Sequence, residues 1–152
     1  MSDLHALIYV SRSTIDLGSG CAADSINDIV TAARINNPKH GITGALLFDD
    51  VFFAQMLEGP KQAVEMSFQS IGRDPRHRNV TVLSFETATC RRFAEWSMAY
   101  AGASRAQSPA IWSEAIMSNP DEVETARAGQ KIIDLLVSLI RHEDARQGFA
   151  LG

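Results

Sequence analysis

The sequence predicts a mixed fold in which strands and helices follow one another in the order βαββαββ, with further helices at the C-terminus. Three observations lead to this prediction. Short apolar segments recur between residues 4 and 100, two stretches between them repeat apolar residues at helical spacing, and a longer helical stretch follows residue 120. Because 152 residues is the usual size of one domain, we expect one main domain with an appendage.

The first strand and the first helix are predicted from two different spacings of apolar residues along the chain. Residues 4–11 alternate, so that Tyr9 points to one face of a strand and Ile8 to the other. After a connection rich in Gly, Ser and Thr, Ile26 and Val30 belong to a helical repeat that stops at Asn36-Asn37-Pro38. We therefore expect a helix that ends near Asn36.

The middle of the chain predicts a hairpin and a second helix. Residues 42–48 and 52–57 are apolar segments joined through Asp49 and Asp50, which is typical of a tight turn. Both segments are apolar on both faces, so we expect central strands that are covered on both sides. Pro60 fits the first position of a helix, and Gly72 lies near the expected end of that helix.

The last strands are followed by a change in composition. Residues 80–87 alternate, and residues 93–100 are predicted to form a strand with Trp96, Met98 and Tyr100 on one face. From Gly102 to Pro109 the chain is rich in Ala, Ser, Gln and Pro, which predicts a connector between a domain over residues 1–102 and an extension over residues 103–152. Helices are expected over residues 109–117 and 121–141, the second with a broad apolar surface that we expect to pack on the sheet and to self-associate.

Composition and charge exclude several functions. A formal charge of -4 argues against general nucleic-acid binding, because such proteins display basic surfaces. The longest apolar run, residues 132–140, is interrupted by Asp134 and Ser138 and is shorter than the roughly 20 residues that span a bilayer. The N-terminus has no signal-peptide pattern, and neither the cysteines nor the histidines have metal-ligand spacing. We expect a cytoplasmic protein without a metal site.

A few polar residues stand out as possible ligand contacts. Gln55 lies in an apolar strand, and a buried amide left without partners would cost about 1 to 3 kcal/mol. It therefore bonds either to its neighbours or to a ligand. Tyr9 is able to reach that amide from the first strand, but alone it is more simply explained as a core residue. Asn36 and Asn37 taken alone fit a helix end, and the basic turn over residues 73–78 fits a solvated surface.

Taken together, these residues resemble the BLUF family, the sensors of blue light that use a flavin. The resemblance extends from about Leu4 to Gly102. It is carried by five segments, in this order: YVS from Tyr9, NNPKHGITGALLF from Asn36, FFAQMLEG from Phe52, RDPRH from Arg73 and RRFAEWSM from Arg91. The ordered set is highly specific, although no single segment is decisive.

The resemblance implies an α+β, ferredoxin-like fold with two helices on one face of the sheet and the flavin ring between them. The cofactor would usually be FAD, with FMN or riboflavin as alternatives. By motif position, Asn37 would bond the polar edge of the ring, with Asn36 and Lys39 beside it. Gln55 would lie between the ring and Tyr9, while Asp74, Arg76 and His77 would lie near the ribityl and phosphate part.

The family mechanism is a photochemical switch without turnover. In that mechanism light makes the flavin a strong oxidant; Tyr9 would supply an electron and a proton, and both would return while the Gln55 amide rearranges. Trp96 and Met98 match the positions from which the signal leaves, although plain core packing explains them equally well. Ala33 replaces a serine of some members and Ser70 a basic residue. These two differences leave cofactor-tail binding and dark recovery open.

We therefore expect a stand-alone receptor that is not an enzyme, since about fifty residues after the sensor are too few for an output domain. Its signal would pass to an unknown downstream protein. Two other classes stay open at this point: a flavin-dependent redox enzyme, and a ligand-free interaction domain in which Gln55 and Tyr9 satisfy each other. Flavin colour and steady oxidation of a nicotinamide cofactor distinguish these three classes.

Overall fold

A computed structural model describes residues 3–15, 22–49, 51–102 and 122–147 of the chain. The strands are β1 (Leu4–Ser13), β2 (Thr43–Phe48), β3 (Phe52–Pro60), β4 (His77–Thr87) and β5 (Ala99–Gly102), and the helices are α1 (Ala22–Asn36), α2 (Lys61–Arg73) and α3 (Glu122–Gln147). A short 3₁₀-helix, Asn37–His40, follows α1 directly. The predicted order βαββαββ with a C-terminal helix is confirmed, and the helix predicted over residues 109–117 lies outside the described residues.

The five strands form one sheet in the order β4-β1-β3-β2-β5. Neighbouring strands are antiparallel except for β2 and β5, which run parallel. In the pairing of β1 with β3, Tyr9 lies directly opposite Gln55. Because paired residues share a face of the sheet, both side chains point to the same side.

Each face of the sheet carries its own apolar core. One core joins Leu7, Phe53 and Leu57 of the sheet to residues of α1 and α2. The other joins Ile8 and Ala54 to the buried face of α3, formed by Ala128, Ile132, Leu136 and Ile140. The central strands are therefore covered on both sides, as their two-sided apolar pattern predicts. This is the expected α+β, ferredoxin-like arrangement, with α3 added on the back of the sheet.

The prediction for the last strand was wrong in extent and in orientation. Residues 93–98 are irregular, and only Ala99–Gly102 pair as a strand. The backbone N–H groups of Arg92 and Phe93 both donate to the buried carboxylate of Glu58, and Trp96 N–H donates to Phe93 O, so the chain turns here. Met98 consequently packs on the α1 and α2 side and Trp96 on the α3 side, not on one face.

The other element ends differ from the prediction by a few residues. β1 and β3 are longer than predicted, β4 begins at His77, and α2 begins at Lys61, with Pro60 just before its first turn. In the described part of the chain no helix is long and apolar enough to cross a membrane.

Candidate functional site

A cavity of about 400 Å³ lies between α1, α2 and the sheet, and we call it the α1–α2 cavity. This volume is within the range of small-molecule sites, about 300 to 1,000 Å³. Its lining residues come from both helices and the segments that follow them, from β1, β3 and the start of β4, and from the segment before β5: Tyr9, Ile29, Ala32, Ala33, Asn36, Asn37, His40, Gln55, Leu57, Ala63, Met66, Ser67, Ser70, Ile71, Asp74, Arg76, His77 and Met98. The cavity is therefore apolar along its walls and polar at particular points.

Small side chains on the two helices keep the cavity open. Ala32 and Ala33 line it from α1, and Ala63, Ser67 and Ser70 line it from α2. The three α2 residues are spaced four and three apart, which places them on one face of the helix. Larger side chains on that face would fill the gap, so the spacing leaves a slot between two helices.

Gln55 is held between two partners at the sheet wall of the cavity. The Tyr9 hydroxyl donates a hydrogen bond of 2.5 Å to Gln55 Oε1, and Gln55 Nε2 donates to the Met98 sulfur at 3.4 Å. Gln55 is only 5% exposed and Tyr9 is fully buried. Both ends of the amide are thus engaged within the protein while its residue also lines the cavity.

Tyr9 sits in an apolar environment that favours its neutral form. The Phe68 ring lies edge-on to it, with ring centroids 5.7 Å apart, and the His77 ring lies 6.2 Å away. Burial, with a smaller contribution from the charge of Asp74, holds the pKa of Tyr9 above its ordinary value. The phenol therefore keeps its proton, and that proton lies on the hydrogen bond to Gln55.

The end of α1 forms one polar edge of the cavity. Asn36, Asn37 and His40 line it. The side-chain nitrogen of Asn37 donates a hydrogen bond of 2.7 Å to the carbonyl oxygen of Ser97. The amide oxygen of Asn37 is then the end left to meet a ligand donor. Lys39 is exposed and is not among the lining residues, so the structure does not bring it to the cavity with its neighbours.

The turn after α2 forms a second polar edge of the cavity. Arg76 and Asp74 make a bidentate ion pair, with contacts of 2.6 and 2.9 Å. The hydrogen bonds from Arg76 hold the pKa of Asp74 below its ordinary value, and those to Asp74 raise the pKa of Arg76. This turn is fixed to the end of β1, because Thr14 bonds both Pro75 O and Arg76 O.

His77 is the most buried residue of this edge. Its Nδ1 lies 2.8 Å from the Ser11 hydroxyl, and its ring packs on Phe53 with centroids 4.5 Å apart. Burial is the main reason why its pKa falls from 6.5 to about 4, with Arg76 lowering it further and Asp74 opposing. The imidazole is therefore neutral at physiological pH and presents an uncharged polar group to the cavity.

The sequence-predicted residues thus divide into three groups. Tyr9, Asn36, Asn37, Gln55, Asp74, Arg76, His77 and Met98 meet around the cavity, together with Ala33 and Ser70. Lys39 lies outside it, and Trp96 packs edge-on against Phe93 on the other side of the sheet. Sequence reasoning missed Arg34, whose side chain donates a hydrogen bond to the Met98 carbonyl. Arg34 lies three residues before Asn37, and this helical spacing was the signal that both side chains share one face. In the described residues no group of His, Cys, Asp and Glu is arranged to hold a metal ion.

Comparisons with known proteins agree with this geometry. Residues 4–99 match the family described as BLUF, sensors of blue-light using FAD. The photoactivated adenylate cyclase subunit alpha of Euglena gracilis is 34% identical over 97 residues, which are 64% of this chain and 9% of that protein. The blue light- and temperature-regulated antirepressor BluF of Escherichia coli (strain K12) is 40% identical over 73 residues, 48% of this chain and 18% of that protein. The chain therefore spans only a small part of these curated relatives.

Solved structures are similar over most of the chain. The dark-state structure of BlrB, a BLUF protein, is 32% identical with a TM-score of 0.62, covering 84% of this chain and 96% of that one. The photo-activated state of BlsA is 28% identical with a TM-score of 0.68, covering 90% and 94%. A bacterial light-regulated adenylyl cyclase is 26% identical and covers 91% of this chain but 39% of its own. With the matching family spanning most of the sheet and both cavity helices, this chain belongs to the BLUF family of flavin-binding blue-light sensors.

Proposed function

We propose that this chain is a blue-light photoreceptor in which Tyr9 and Gln55 form the switch beside the flavin. The observation that carries the proposal is the position of the Gln55 amide, bonded to Tyr9 at one end and to Met98 at the other while it lines the cavity. A structural amide needs no adjoining cavity. A switching amide needs a ligand on one side and two partners that its ends can exchange.

The residues around the cavity fit a flavin. The cavity between the helices and the sheet would take the ring, and Asn37 and Gln55, which line it, would offer amide groups to the polar edge of that ring. Asn36 would flank this contact, and Lys39 would reach it only from outside the cavity. At the other edge, Arg76 and neutral His77 would meet the ribityl and phosphate part, with Asp74 holding Arg76 in place.

When bound, the flavin supplies blue-light absorption and an electron acceptor. The phenol of Tyr9, which lines the cavity, would be the electron donor, and its proton lies on the hydrogen bond to Gln55 Oε1. Turning the amide by half a rotation would bring Nε2 to the Tyr9 oxygen and Oε1 to the Met98 sulfur, which accepts hydrogen bonds but donates none. The two orientations therefore have different partners and form a two-state element.

We also propose that the chain acts as a sensor and not as an enzyme. The sensor domain would comprise residues 1–102 and the helical extension residues 103–152, with the signal passing through Met98 and Trp96 to α3 and then to a partner protein. Support comes from Met98, which contacts Gln55, and from α3, which packs on the back of the sheet. A cytoplasmic location and a homo-oligomer belong to the same proposal.

Absorption spectra recorded before and after blue light test the proposed switch. The wild type should show flavin bands that shift reversibly to the red. Gln55→Leu and Tyr9→Phe should keep the bands and lose the shift, because each removes one side of the hydrogen bond. Tyr100→Phe is the matched control, since Tyr100 is the second tyrosine of the chain and does not line the cavity. A wild type without a reversible shift, or a shift that survives both substitutions, would refute the proposal.

A further inference from the structure

Three consecutive carbonyl groups before β5 are held by donors outside the sheet ladder. The Trp96 carbonyl accepts from Gly44 N–H at 3.2 Å, and the Ser97 carbonyl accepts from Asn37 Nδ2 at 2.7 Å. The Met98 carbonyl accepts from Arg34 Nε at 3.0 Å. Two of the three donors are therefore side chains from the end of α1 and the segment that follows it.

This short segment reaches both sides of the sheet. The Met98 side chain belongs to the α1–α2 side and contacts Gln55. The Trp96 side chain lies on the other side, against the core that contains Ala128, Ile132 and Leu136 of α3. Met98 and Trp96 are separated by a single residue, so the segment connects a side chain that contacts Gln55 to one that packs against the core containing α3.

We propose that Arg34 is a positioning residue of the output path, whose hydrogen bond to the Met98 carbonyl couples the Gln55 amide to Trp96 and α3. This inference rests on the proposed photoreceptor function. Arg34 does not line the cavity, so it acts without touching the ligand. A guanidinium donor forms a stronger bond than a neutral one, and it fixes the peptide plane from which the Met98 side chain extends toward Gln55.

Two substitutions separate the hydrogen bond from the bulk of the side chain. Gln places an N–H donor at the same number of bonds from Cα as Arg Nε, whereas Met places a methyl group there. Arg34→Gln should therefore keep the coupling and Arg34→Met should lose it. Arg78→Met is the control, because Arg78 is an exposed residue of β4.

The first readout observes the Met98 carbonyl directly. The chain contains the dipeptide Met-Ala once, at residues 98–99, so ¹³C-carbonyl Met with ¹⁵N Ala yields a single correlation peak in a carbonyl-to-amide NMR spectrum. In the dark, Arg34→Met should move this peak, while Arg34→Gln and Arg78→Met should leave it near the wild-type position. Blue light should move the wild-type peak. If Arg34→Met does not fold, Arg34→Leu, which also lacks the donor, takes its place with the same expected results; a wild-type peak that stays still under light refutes the proposal.

The second readout is the light-minus-dark difference in hydrogen exchange over residues 128–140 of α3. Arg34→Met should keep the flavin content and the red shift and lose most of this exchange difference, while Arg34→Gln should retain it. The proposal is wrong if Arg34→Met keeps the difference, if it loses the red shift as well, or if the wild type shows a red shift without any change in α3. Absence of the red shift in the wild type would instead refute the proposed function.

Discussion

The side-chain nitrogen of Gln55 donates a hydrogen bond to the Met98 sulfur at 3.4 Å, on the end of the amide that Tyr9 does not occupy. Met98→Leu keeps the apolar volume and removes this acceptor. Losing a neutral hydrogen bond costs about 1 kcal/mol, so we expect the observed amide orientation to be re-formed about two- to fivefold more slowly after a blue flash. The measurement is the decay of the red-shifted absorption with time.

Trp96→Phe is the comparison for Met98→Leu. Trp96 packs on Phe93 on the α3 side of the sheet, so its replacement should leave the flavin bands and their recovery close to those of the wild type. A larger effect of Trp96→Phe than of Met98→Leu on recovery would mean that Trp96, and not Met98, contacts the amide in solution.

Burial of His77 predicts a loss of stability in mild acid. The native pKa is lowered from 6.5 to about 4, so the unfolded chain takes up a proton below about pH 6.5 while the native imidazole stays neutral. The stabilisation is present above that pH and is lost as the pH falls toward 4. From about pH 7.5 to pH 5 the free energy of unfolding should fall by about 2 kcal/mol through this group.

Urea unfolding at several pH values measures this contribution. His77→Gln removes the titrating ring, so the difference in unfolding free energy between wild type and variant should shrink as the pH is lowered. Asp74 and Arg76 face the ring and are unchanged in both proteins, which leaves their own titration common to the two curves. Parallel pH curves would show that the ring is not buried as described.

Glu58 supports the irregular segment before β5. Its carboxylate is buried and accepts from Arg92 N–H at 2.6 Å, from Phe93 N–H at 3.0 Å and from the Thr43 hydroxyl at 3.0 Å. Glu58→Ala leaves two backbone N–H groups without this acceptor and should lower the free energy of unfolding by about 3 kcal/mol. Glu86→Ala, at an exposed position of β4, should change it by less than about 0.5 kcal/mol. Similar urea midpoints for the two variants would contradict this role.

The same carboxylate explains why the extent and orientation of the last strand could not be predicted. Residues 93–100 have a pattern that fits a strand, but the backbone N–H of the first of them, Phe93, donates to Glu58, which lies 35 residues earlier in the chain. The alternation of apolar residues within a short segment carries no information about a hydrogen bond to a residue so far away in the sequence. By contrast, the period-two pattern around Tyr9 and the two-sided apolar pattern around Gln55 are local consequences of burial, and both predicted their strands.

The cavity was predictable only in part for a similar reason. Gln55 stood out because a polar side chain interrupts an apolar strand, and the turn at Asp74 stood out by its charge. The slot itself depends on Ala33 of α1 and Ser67 and Ser70 of α2 lining the same cavity, and small residues give no signal until the topology places both helices on the same face of the sheet. Residues that matter because their side chains are small can therefore be identified only from the structure.

Two glycines give opposite predictions for the same substitution. A Cβ on Gly44 would lie 2.2 Å from the carbonyl oxygen of Met56 in the neighbouring strand, where neither backbone can move without breaking the β2–β3 pairing. A Cβ on Gly72, in the last turn of α2, would meet nothing within 4 Å. Gly44→Ala should therefore prevent folding or lower the free energy of unfolding by more than about 3 kcal/mol, beyond the usual range for a single substitution.

Gly72→Ala should instead raise the free energy of unfolding by about 0.5 to 1 kcal/mol, because alanine restricts the unfolded chain and favours the helix. Thermal unfolding followed by circular dichroism compares the two variants under identical conditions. If Gly44→Ala were as stable as Gly72→Ala, Gly44 of β2 would not lie as close to Met56 of β3 as described. The register that places Gln55 opposite Leu46 depends on that same pairing, so it would then be wrong too.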